Sequence, residues 1–346
     1  MRRPEGHDGA VELEELLRRM RIAPKGYREL FEVALRRADR VDVRSRRGLE
    51  RVKRRECSRI DAAASYVVSV LKGISLSSPF LRDLHPFHRE LVSTMMDVDE
   101  YRKGMAMIYG AARIISRVAS EHKRMVRMAR DAGEAARARR AFFGRLRSIL
   151  EDLDEYLGTV RGYQLELLKL PSINPYMDTI IIAGPPNVGK SSLLRAVTRA
   201  KPEVREYPFT TKNVVVGHME VKGRTVQVVD TPGLLDRPLG ERNRVELRAI
   251  AALRHLRGVV VFMFDPTETC GFPLDYQVRV YRDVADLLSG VPRVLVSNKV
   301  DITGPAMASR LLERLGDERR EVLFISALRG TNVDHLVEEA VSRLGG

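Results

Sequence analysis

Apolar residues in the first half of the chain recur at helical spacing. Between residues 10 and 170 they return every three or four positions, and clusters of β-branched residues are few. This spacing places apolar side chains on one face of an α-helix, so it predicts an all-α helical bundle. The predicted helices cover about residues 10–20, 25–50, 58–75, 80–95, 97–130 and 134–168.

After residue 178 the pattern changes to short apolar runs separated by helix-length segments. These runs predict strands at Thr179–Ala183, Asn213–Val221, Thr225–Val229, Val259–Phe264, Val294–Ser297 and Val322–Ile325. Lys222-Gly223 predicts one hairpin turn, and the other connections are long enough for helices. The sequence therefore predicts an α/β domain with a mixed, mostly parallel six-stranded sheet and helices on both faces. Pro171 and Pro175 separate the two patterns, which predicts domains at 1–171 and 172–346.

Composition narrows the class of protein. With 44% hydrophobic and 31% charged residues, the 346-residue chain is long and apolar enough for two folded domains. Its two cysteines, Cys57 and Cys270, lack the paired spacing of a zinc site, so neither a disulfide framework nor structural zinc is expected. The sequence has no run of eighteen uncharged apolar residues and no secretory signal. We therefore expect a cytoplasmic protein that does not insert into a membrane.

Positive charge is concentrated in the first half. The chain has a net charge of +14, of which +11 lies in residues 1–171 and +3 in residues 172–346. Residues 102–147 alone hold 13 basic and 3 acidic side chains. A basic surface of this kind predicts a polyanionic partner.

One predicted helix, at 97–130, carries both an apolar face and a row of arginines. The apolar positions are Ile108, Ala112, Ile115, Ala119 and Val126, and the arginines are Arg113, Arg117, Arg124 and Arg127. Guanidinium groups suit phosphate oxygens, which favours RNA. Because aromatic residues make up 6% of the chain and Trp is absent, we expect recognition of RNA backbone and shape rather than base stacking. The alternative is an ordinary solvated helix face, although the usual interleaved glutamates are few.

A phosphate-binding motif lies between the first predicted strand and a helix. It consists of Gly184, Pro185, Pro186, Asn187, Val188, Gly189, Lys190 and Ser191, with Ser192 following. The glycines let backbone N–H groups converge on phosphate oxygens at the helix N-terminus. Lys190 is expected to bind the β- and γ-phosphates, and the Ser191 hydroxyl to bind Mg²⁺.

Two further segments are expected to contact the γ-phosphate or the Mg²⁺ ion beside it. Asp230, Thr231, Pro232 and Gly233 follow a predicted strand, so Asp230 can hold Mg²⁺ through water and Gly233 can donate its N–H to the γ-phosphate. In the loop Tyr207–Lys212, Thr211 is the predicted Mg²⁺ ligand of a switch that orders when a γ-phosphate is bound. Thr210 is the alternative ligand, and a structural role for both threonines stays open.

The base is predicted to be guanine. Asp301 of Asn298-Lys-Val-Asp can accept two hydrogen bonds from the N1 and N2 groups of guanine, which adenine lacks. Lys299 is expected to pack over the base and Asn298 to brace the loops. Ser326, Ala327 and Leu328 are expected to offer N–H groups to the guanine oxygen. This set of residues excludes an ATPase.

These motifs in this order resemble the Ras-like GTPase domain across residues 178–346. Three features are similar to those of the Obg-related GTPases. They are the segment Tyr207–Thr211, Asn187, and Leu234 directly after Gly233. Further segments resemble the nucleolar GTP-binding (Nog) family. They are Ile60-Asp-Ala-Ala, Pro79–Phe87, Asp99-Glu-Tyr101 and Asp265–Gly271 with Gln277. The chain ends at Gly346 without the C-terminal extension of the eukaryotic members, so it resembles an archaeal form.

The resemblance implies a GTPase that binds GTP, GDP and Mg²⁺ and acts in assembly of the large ribosomal subunit. The helical domain would bind ribosomal RNA of the subunit precursor, and the free protein would be a monomer. It further implies that Asn187 holds a K⁺ ion. Leu234 replaces the glutamine that orients the attacking water in many Ras-like enzymes, so slow intrinsic hydrolysis is expected.

Two other functions stay open on the sequence. The basic helices could dock an acidic protein or a membrane surface, although no amphipathic anchor is evident. The chain could also be a structural rRNA-binding factor with little GTPase activity, a hypothesis that the intact Lys190, Ser191 and Asp230 disfavour.

Overall fold

The computed structural model describes residues 9–42, 48–79, 84–170, 173–198, 202–206 and 213–345. Contacts divide the chain into two compact units. The helical unit comprises Glu15–Leu81 and Met96–Leu168, and the α/β unit comprises Met1–Glu14, Arg82–Met95 and Lys169–Gly346. The single boundary predicted between residues 171 and 172 thus differs from this grouping at residues 1–14, 82–95 and 169–171.

Seven helices precede the sheet within the described residues. They are α1 (Gly9–Arg19), α2 (Tyr27–Asp39), α3 (Leu49–Ser77), α4 (Pro86–Met95), α5 (Val98–Met128), α6 (Ala132–Asp152) and α7 (Asp154–Leu167). The prediction of one helix over 25–50 is wrong, because α2 ends at Asp39 and a new helix begins after Gly48, whose φ is +111°. The predicted helix 134–168 is also two helices. Beyond the break at Leu153, the Asp154 carboxylate accepts the Tyr27 N–H at 2.7 Å.

The helical unit has its core where α5 packs against α3, α6 and α7. The N-terminus of α5 is capped by Asp97, whose carboxylate accepts the N–H groups of Asp99 at 2.9 Å and Glu100 at 3.0 Å. By length and composition alone α3 could cross a membrane, since an 18-residue stretch has a mean hydropathy of 1.2. Its buried side, including Val67, Leu71 and Ile74, faces the other helices of the bundle, as in a core helix.

Buried polar residues bind parts of the helical unit together. Gln164 accepts the Ala23 N–H at 2.7 Å and donates to the Ser78 hydroxyl at 2.9 Å. The buried Glu56 carboxylate lies 2.5 Å from Arg139 Nε and 3.6 Å from an Arg59 nitrogen. Apart from the pair within α3, these contacts join segments that are far apart in sequence.

The α/β unit contains a mixed sheet that has seven strands in the described part of the chain. They are β1 (Thr179–Ala183), β2 (Glu203–Glu206), β3 (Asn213–Val221), β4 (Arg224–Asp230), β5 (Gly258–Phe264), β6 (Arg293–Ser297) and β7 (Val322–Phe324). Their order is β2-β3-β4-β1-β5-β6-β7, with β2, β3 and β4 antiparallel and the other neighbours parallel. The predicted fold class is confirmed, but the number six is wrong. The seventh strand, β2, is a short edge strand. It has no apolar run, the feature from which the other strands were predicted.

Helices cover both faces of the sheet. They are α8 (Lys190–Val197), α9 (Arg244–Ala251), α10 (Leu274–Leu287), α11 (Pro305–Leu315) and α12 (Val333–Ser342). On β5, Val261 and Met263 join a core cluster with residues of α8 and α12. The alternate residues Phe262 and Phe264 face the Tyr281 ring of α10, with centroids 5.2 Å and 5.6 Å away. This alternation is the period-2 geometry of a strand buried on both sides.

One helix from the predicted helical domain belongs to the α/β unit. Helix α4 packs against α9 and against the 3₁₀ turn Ala252–His255 that follows it. Glu90 of α4 lies 3.3 Å from an Arg254 nitrogen and 2.8 Å from His255 Nε2. The α/β unit is therefore completed by residues that precede the sheet in sequence.

Candidate nucleotide-binding site

The phosphate loop connects β1 to α8 at the carboxyl edge of the sheet. Gly184 and Gly189 have φ values of +137° and +108°, a region that side chains rarely adopt. A Cβ on Gly184 would lie 2.5 Å from the Met263 carbonyl oxygen, and one on Gly189 would lie 2.3 Å from Asn298 Nδ2. Both positions therefore require glycine for space as well as for conformation.

The Lys190 side chain folds back over this loop. Its ammonium donates to the carbonyl oxygens of Gly184 at 2.7 Å and Pro185 at 2.8 Å, and the residue is 7% exposed. Burial lowers the pKa of Lys190, whereas the charges of Asp230 and Asp236 act in the opposite direction. The loop thus holds a buried positive charge at the end of β1.

Ser191 and Asp230 form the part of the site that fits a hard cation. The Ser191 hydroxyl donates to Asp230 Oδ2 at 3.0 Å. Asp230 is fully buried, and its Oδ1 has no hydrogen-bond partner within the described ranges. Burial raises the pKa of Asp230, which the nearby Lys190 charge opposes. Oxygen ligands are those that Mg²⁺ prefers, so this pair fits Mg²⁺ held together with phosphate oxygens and water. The described residues contain no group of three His, Cys, Asp or Glu suited to a metal.

The segment after β4 forms a tight turn below the phosphate loop. The Thr231 hydroxyl donates to the Ile182 carbonyl oxygen at 2.9 Å, which ties the turn to β1. Gly233 has a φ of +79°, and the Leu234 side chain is completely buried. Pro232, between Thr231 and Gly233, is half-buried. Thr210 and Thr211 lie outside the described residues.

Asn298 joins the base loop to the phosphate loop. Its Nδ2 donates to the Val188 carbonyl oxygen at 2.7 Å, and its Oδ1 accepts the Ala327 N–H at 2.9 Å. One buried side-chain amide therefore contacts two of the segments predicted to hold the nucleotide. Neutral buried groups of this kind are costly to leave unpaired.

The neighbouring Lys299 is held by a residue that sequence reasoning did not assign to the site. Lys299 has a φ of +66°, and its ammonium lies 2.6 Å from Asp265 Oδ2 and 2.8 Å from the Thr269 hydroxyl. Burial works against the charge of Asp265, but hydrogen bonds from Lys299 and Thr267 keep the pKa of Asp265 below its usual value. Asp265 directly follows β5, so its position at the sheet edge beside the phosphate loop could have identified it as a site residue.

Asp301 and the segment after β7 flank the predicted base position. Asp301 is exposed, and a hydrogen bond from the Ser326 side chain lowers its pKa, so the carboxylate form is favoured. Ser326 and Ala327 are buried, whereas Leu328 is 78% exposed. The structure thus gathers the phosphate loop, Asp230 and the base loop at one sheet edge. The assignment of guanine to Asp301 stays a prediction.

The predicted RNA-binding arginines lie on the exposed side of α5. Arg113, Arg117, Arg124 and Arg127 are exposed. In the described part of the chain, Arg113, Arg117 and Arg124 have no ion pair, and Arg127 lies beside the Cys57 thiol. By contrast Arg102, Lys123 and Arg147 are paired with carboxylates.

Comparison with known proteins identifies both halves of the chain. Residues 17–174 match the model of the NOG1 N-terminal helical domain, and residues 179–299 match the model described as 50S ribosome-binding GTPase. An uncharacterized protein of Methanocaldococcus jannaschii is 36% identical over 278 residues, which cover 79% of this chain and 78% of that protein. The chain belongs to the Nog family. It therefore contains a GTPase domain, as the resemblance implied.

Named Nog proteins are longer than this chain. Nucleolar GTP-binding protein 1 of Eremothecium gossypii is 37% identical over 254 residues, covering 73% of this chain and 38% of that protein. The Drosophila melanogaster protein of the same name is 36% identical over 274 residues, covering 77% and 42%. The chain thus spans about two fifths of these Nog relatives. A crystal structure described as nucleolar GTP-binding protein 1 of Plasmodium falciparum is 35% identical, with a TM-score of 0.45, and covers 51% of this chain and 90% of its own.

Proposed function

We propose that this chain is a Mg²⁺-dependent switch that binds and hydrolyses GTP during assembly of the large ribosomal subunit, with its helical unit on ribosomal RNA. The observation that carries the nucleotide part is Asn298, which links the phosphate loop to the base loop. The names of the Nog relatives and the description of the GTPase model support the ribosomal part. We expect a cytoplasmic monomer when the protein is free.

In this proposal each side chain binds a different part of the GTP–Mg²⁺ complex. Lys190 holds phosphate oxygens, Ser191 and Asp230 hold Mg²⁺, and the bound ion neutralises charge on the phosphates. Thr211 completes the ion's ligands when GTP is bound. Asp301 accepts hydrogen bonds from the guanine N1 and N2 groups, and the backbone N–H groups of residues 326–328 bind the guanine oxygen.

Hydrolysis is expected to be slow in the isolated protein. The buried apolar Leu234 side chain cannot orient an attacking water, so backbone groups, another residue or a partner must do so. We propose that Asn187, which is exposed at a φ of +60°, holds K⁺ beside the phosphates. Turnover measured in KCl should then exceed turnover in NaCl, and Asn187→Ala should remove the difference. Equal turnover of the wild type in both salts would contradict the K⁺ role.

Nucleotide binding is tested on the phosphate loop. Lys190→Ala should abolish GTP binding in calorimetry, because the variant lacks the charge that meets the phosphates. Ser191→Ala should weaken the dependence of affinity on Mg²⁺. The helical content in circular dichroism should stay unchanged in both variants. Normal GTP affinity in Lys190→Ala would refute the proposed site.

RNA is favoured over an acidic protein because guanidinium groups suit phosphate oxygens, and Arg113, Arg117 and Arg124 follow one helix without an ion pair to any described residue. Each arginine that neutralises a phosphate contributes about 0.7–0.9 to the slope of log affinity against log salt. Replacing Arg113, Arg117 and Arg124 by Gln should therefore flatten this slope by roughly 2–3 units for structured ribosomal RNA. The loss should be similar for RNAs of different sequence.

The matched control replaces three exposed arginines that are already paired with carboxylates. These are Arg19, Arg102 and Arg147. The control removes the same charge but should change the slope by less than the first variant. If both triple variants change the slope equally, the row on α5 is not a specific RNA surface. Loss of a protein partner or of vesicle binding with unchanged RNA affinity would favour the docking function instead.

A further inference from the structure

Within the proposed γ-phosphate segment, one backbone donor is already occupied by the chain itself. The Gly233 N–H donates to Asp236 Oδ2 at 2.7 Å. Asp236 is 9% exposed, so this carboxylate is largely removed from water. The bond is a short, charge-assisted hydrogen bond in a buried place, which is the stronger kind.

The same turn also holds Asp236 in this position. A guanidinium nitrogen of Arg242 lies 3.7 Å from Asp236 Oδ1, and the Arg242 side chain is 1% exposed. Arg242 also donates to the carbonyl oxygens of Gly233 at 3.2 Å and Arg237 at 3.3 Å. Both polar groups of the Gly233 backbone are therefore bound by side chains from the following nine residues.

A γ-phosphate would compete directly with this arrangement. The proposed function, on which this inference rests, gives the Gly233 N–H to an oxygen of the γ-phosphate. One N–H cannot make a short linear bond to two anions, and a carboxylate near a phosphate adds like-charge repulsion. GDP lacks the γ-phosphate, so it leaves the bond to Asp236 intact.

We propose that Asp236 determines the preference of this site between GDP and GTP, by holding the Gly233 N–H whenever no γ-phosphate is present. Asp236 is thus a specificity-determining residue that acts through Gly233. GTP binding breaks the bond and displaces the carboxylate, whereas the GDP complex keeps it. The affinity for GDP relative to GTP is therefore higher than the phosphate loop alone would give.

The test compares two nucleotides on the full chain. Affinities for GDP and for the non-hydrolysable analogue GMPPNP are measured by calorimetry with Mg²⁺ for the wild type, Asp236→Asn and Asp236→Ala. Asn keeps the shape but removes the charge, and Ala removes the acceptor as well. A hydrogen bond to a charged group corresponds to about a 10- to 100-fold change in an equilibrium constant. Both variants should shift the affinity ratio toward GMPPNP by about 10-fold or more.

Asp283→Asn is the matched control. Asp283 Oδ2 accepts the Leu239 N–H at 2.8 Å and so braces the same segment without contacting Gly233. This control should leave the ratio of GDP to GMPPNP affinity unchanged. If it shifts the ratio as much as Asp236→Asn does, the effect is general loosening of the segment and the inference is wrong.

The remaining outcomes separate this inference from the proposed function. If the wild type binds neither nucleotide, the proposed function fails. If both nucleotides bind and the Asp236 variants weaken them equally, the proposed function survives and the role of Asp236 is refuted. If neither variant folds, hydrogen exchange of the Gly233 amide is measured in the wild-type protein instead. Slow exchange in the GDP complex supports the bond to Asp236, and fast exchange overturns it.

Discussion

Asn298 offers the sharpest test of how the nucleotide site is held together. Its amide donates to the Val188 carbonyl oxygen in the phosphate loop and accepts the Ala327 N–H beside the base position. Asn298→Ala removes both bonds at once and adds no group that could replace them. Because Asn298 is buried, water cannot easily take its place.

The magnitude follows from the two backbone groups that lose their partners. Each buried donor or acceptor left unpaired costs about 1–3 kcal/mol, so the variant should lose about 2–6 kcal/mol of unfolding free energy. This is a large part of the roughly 5–15 kcal/mol that stabilises a typical domain. Affinity for GDP should fall as well, because the phosphate loop and the base loop are no longer fixed to each other.

Thermal unfolding with and without GDP, together with GDP calorimetry, measures both effects. Thr303→Ala serves as the control, since it removes a hydrogen bond of 2.8 Å from Thr303 to Lys299 O in the same loop but at a half-buried position. The control should change stability by about 1 kcal/mol or less. If Asn298→Ala unfolds at the wild-type temperature and binds GDP normally, Asn298 does not link the two loops.

Three further outcomes are expected. Asp301→Asn should move nucleotide preference from GTP toward xanthosine triphosphate, whose O2 accepts a bond from an amide, and calorimetry with both nucleotides checks this. Burial lowers the pKa of His88 to about 4, so the unfolded chain takes up a proton at higher pH than the folded one. As pH falls from about 6.5 to 4, the α/β unit should lose about 3 kcal/mol of stability in urea titrations, a loss that His88→Leu abolishes. Glu56→Ala should cost about 1–3 kcal/mol by removing the buried carboxylate that pairs with the half-buried Arg139, whereas the exposed Glu50→Ala should be nearly neutral.

Periodicity predicted the centre of each unit better than its edges. Strands β1, β5 and β6 are continuous apolar runs between helices, so pattern alone located them within a residue or two. Strand β2 was not predicted, because an edge strand with a polar sequence has no such apolar run. The break between α6 and α7 was missed because the bond from the Tyr27 N–H to Asp154, at the start of α7, joins residues that are far apart in sequence.

Linear motifs located the site residues whose spacing the chemistry itself dictates. Lys190, Asp230 and Asn298 follow strands whose ends meet at one sheet edge, so their proximity could be expected. Asp265 also follows a strand, β5, so its place at this edge could be expected, but the contacts of Asp265 and Asp236 could not be assigned in this way. Their roles depend on which backbone N–H or ammonium lies within about 3 Å of the carboxylate, and residue spacing does not encode that distance.

The position of α4 has a consequence for how the chain matures on the ribosome that makes it. Glu90 precedes its partner Arg254 by 164 residues. At roughly 5–20 residues per second, about 8–33 s pass before that partner is synthesised. During this interval α4 lacks the α9 and Ala252–His255 surfaces that it packs against, although its residues Phe87, Leu91 and Val92 are fully buried in the finished protein. A chain begun at Lys169 lacks α4 altogether, so it should expose the α9 surface and aggregate unless a peptide covering residues 84–95 is supplied.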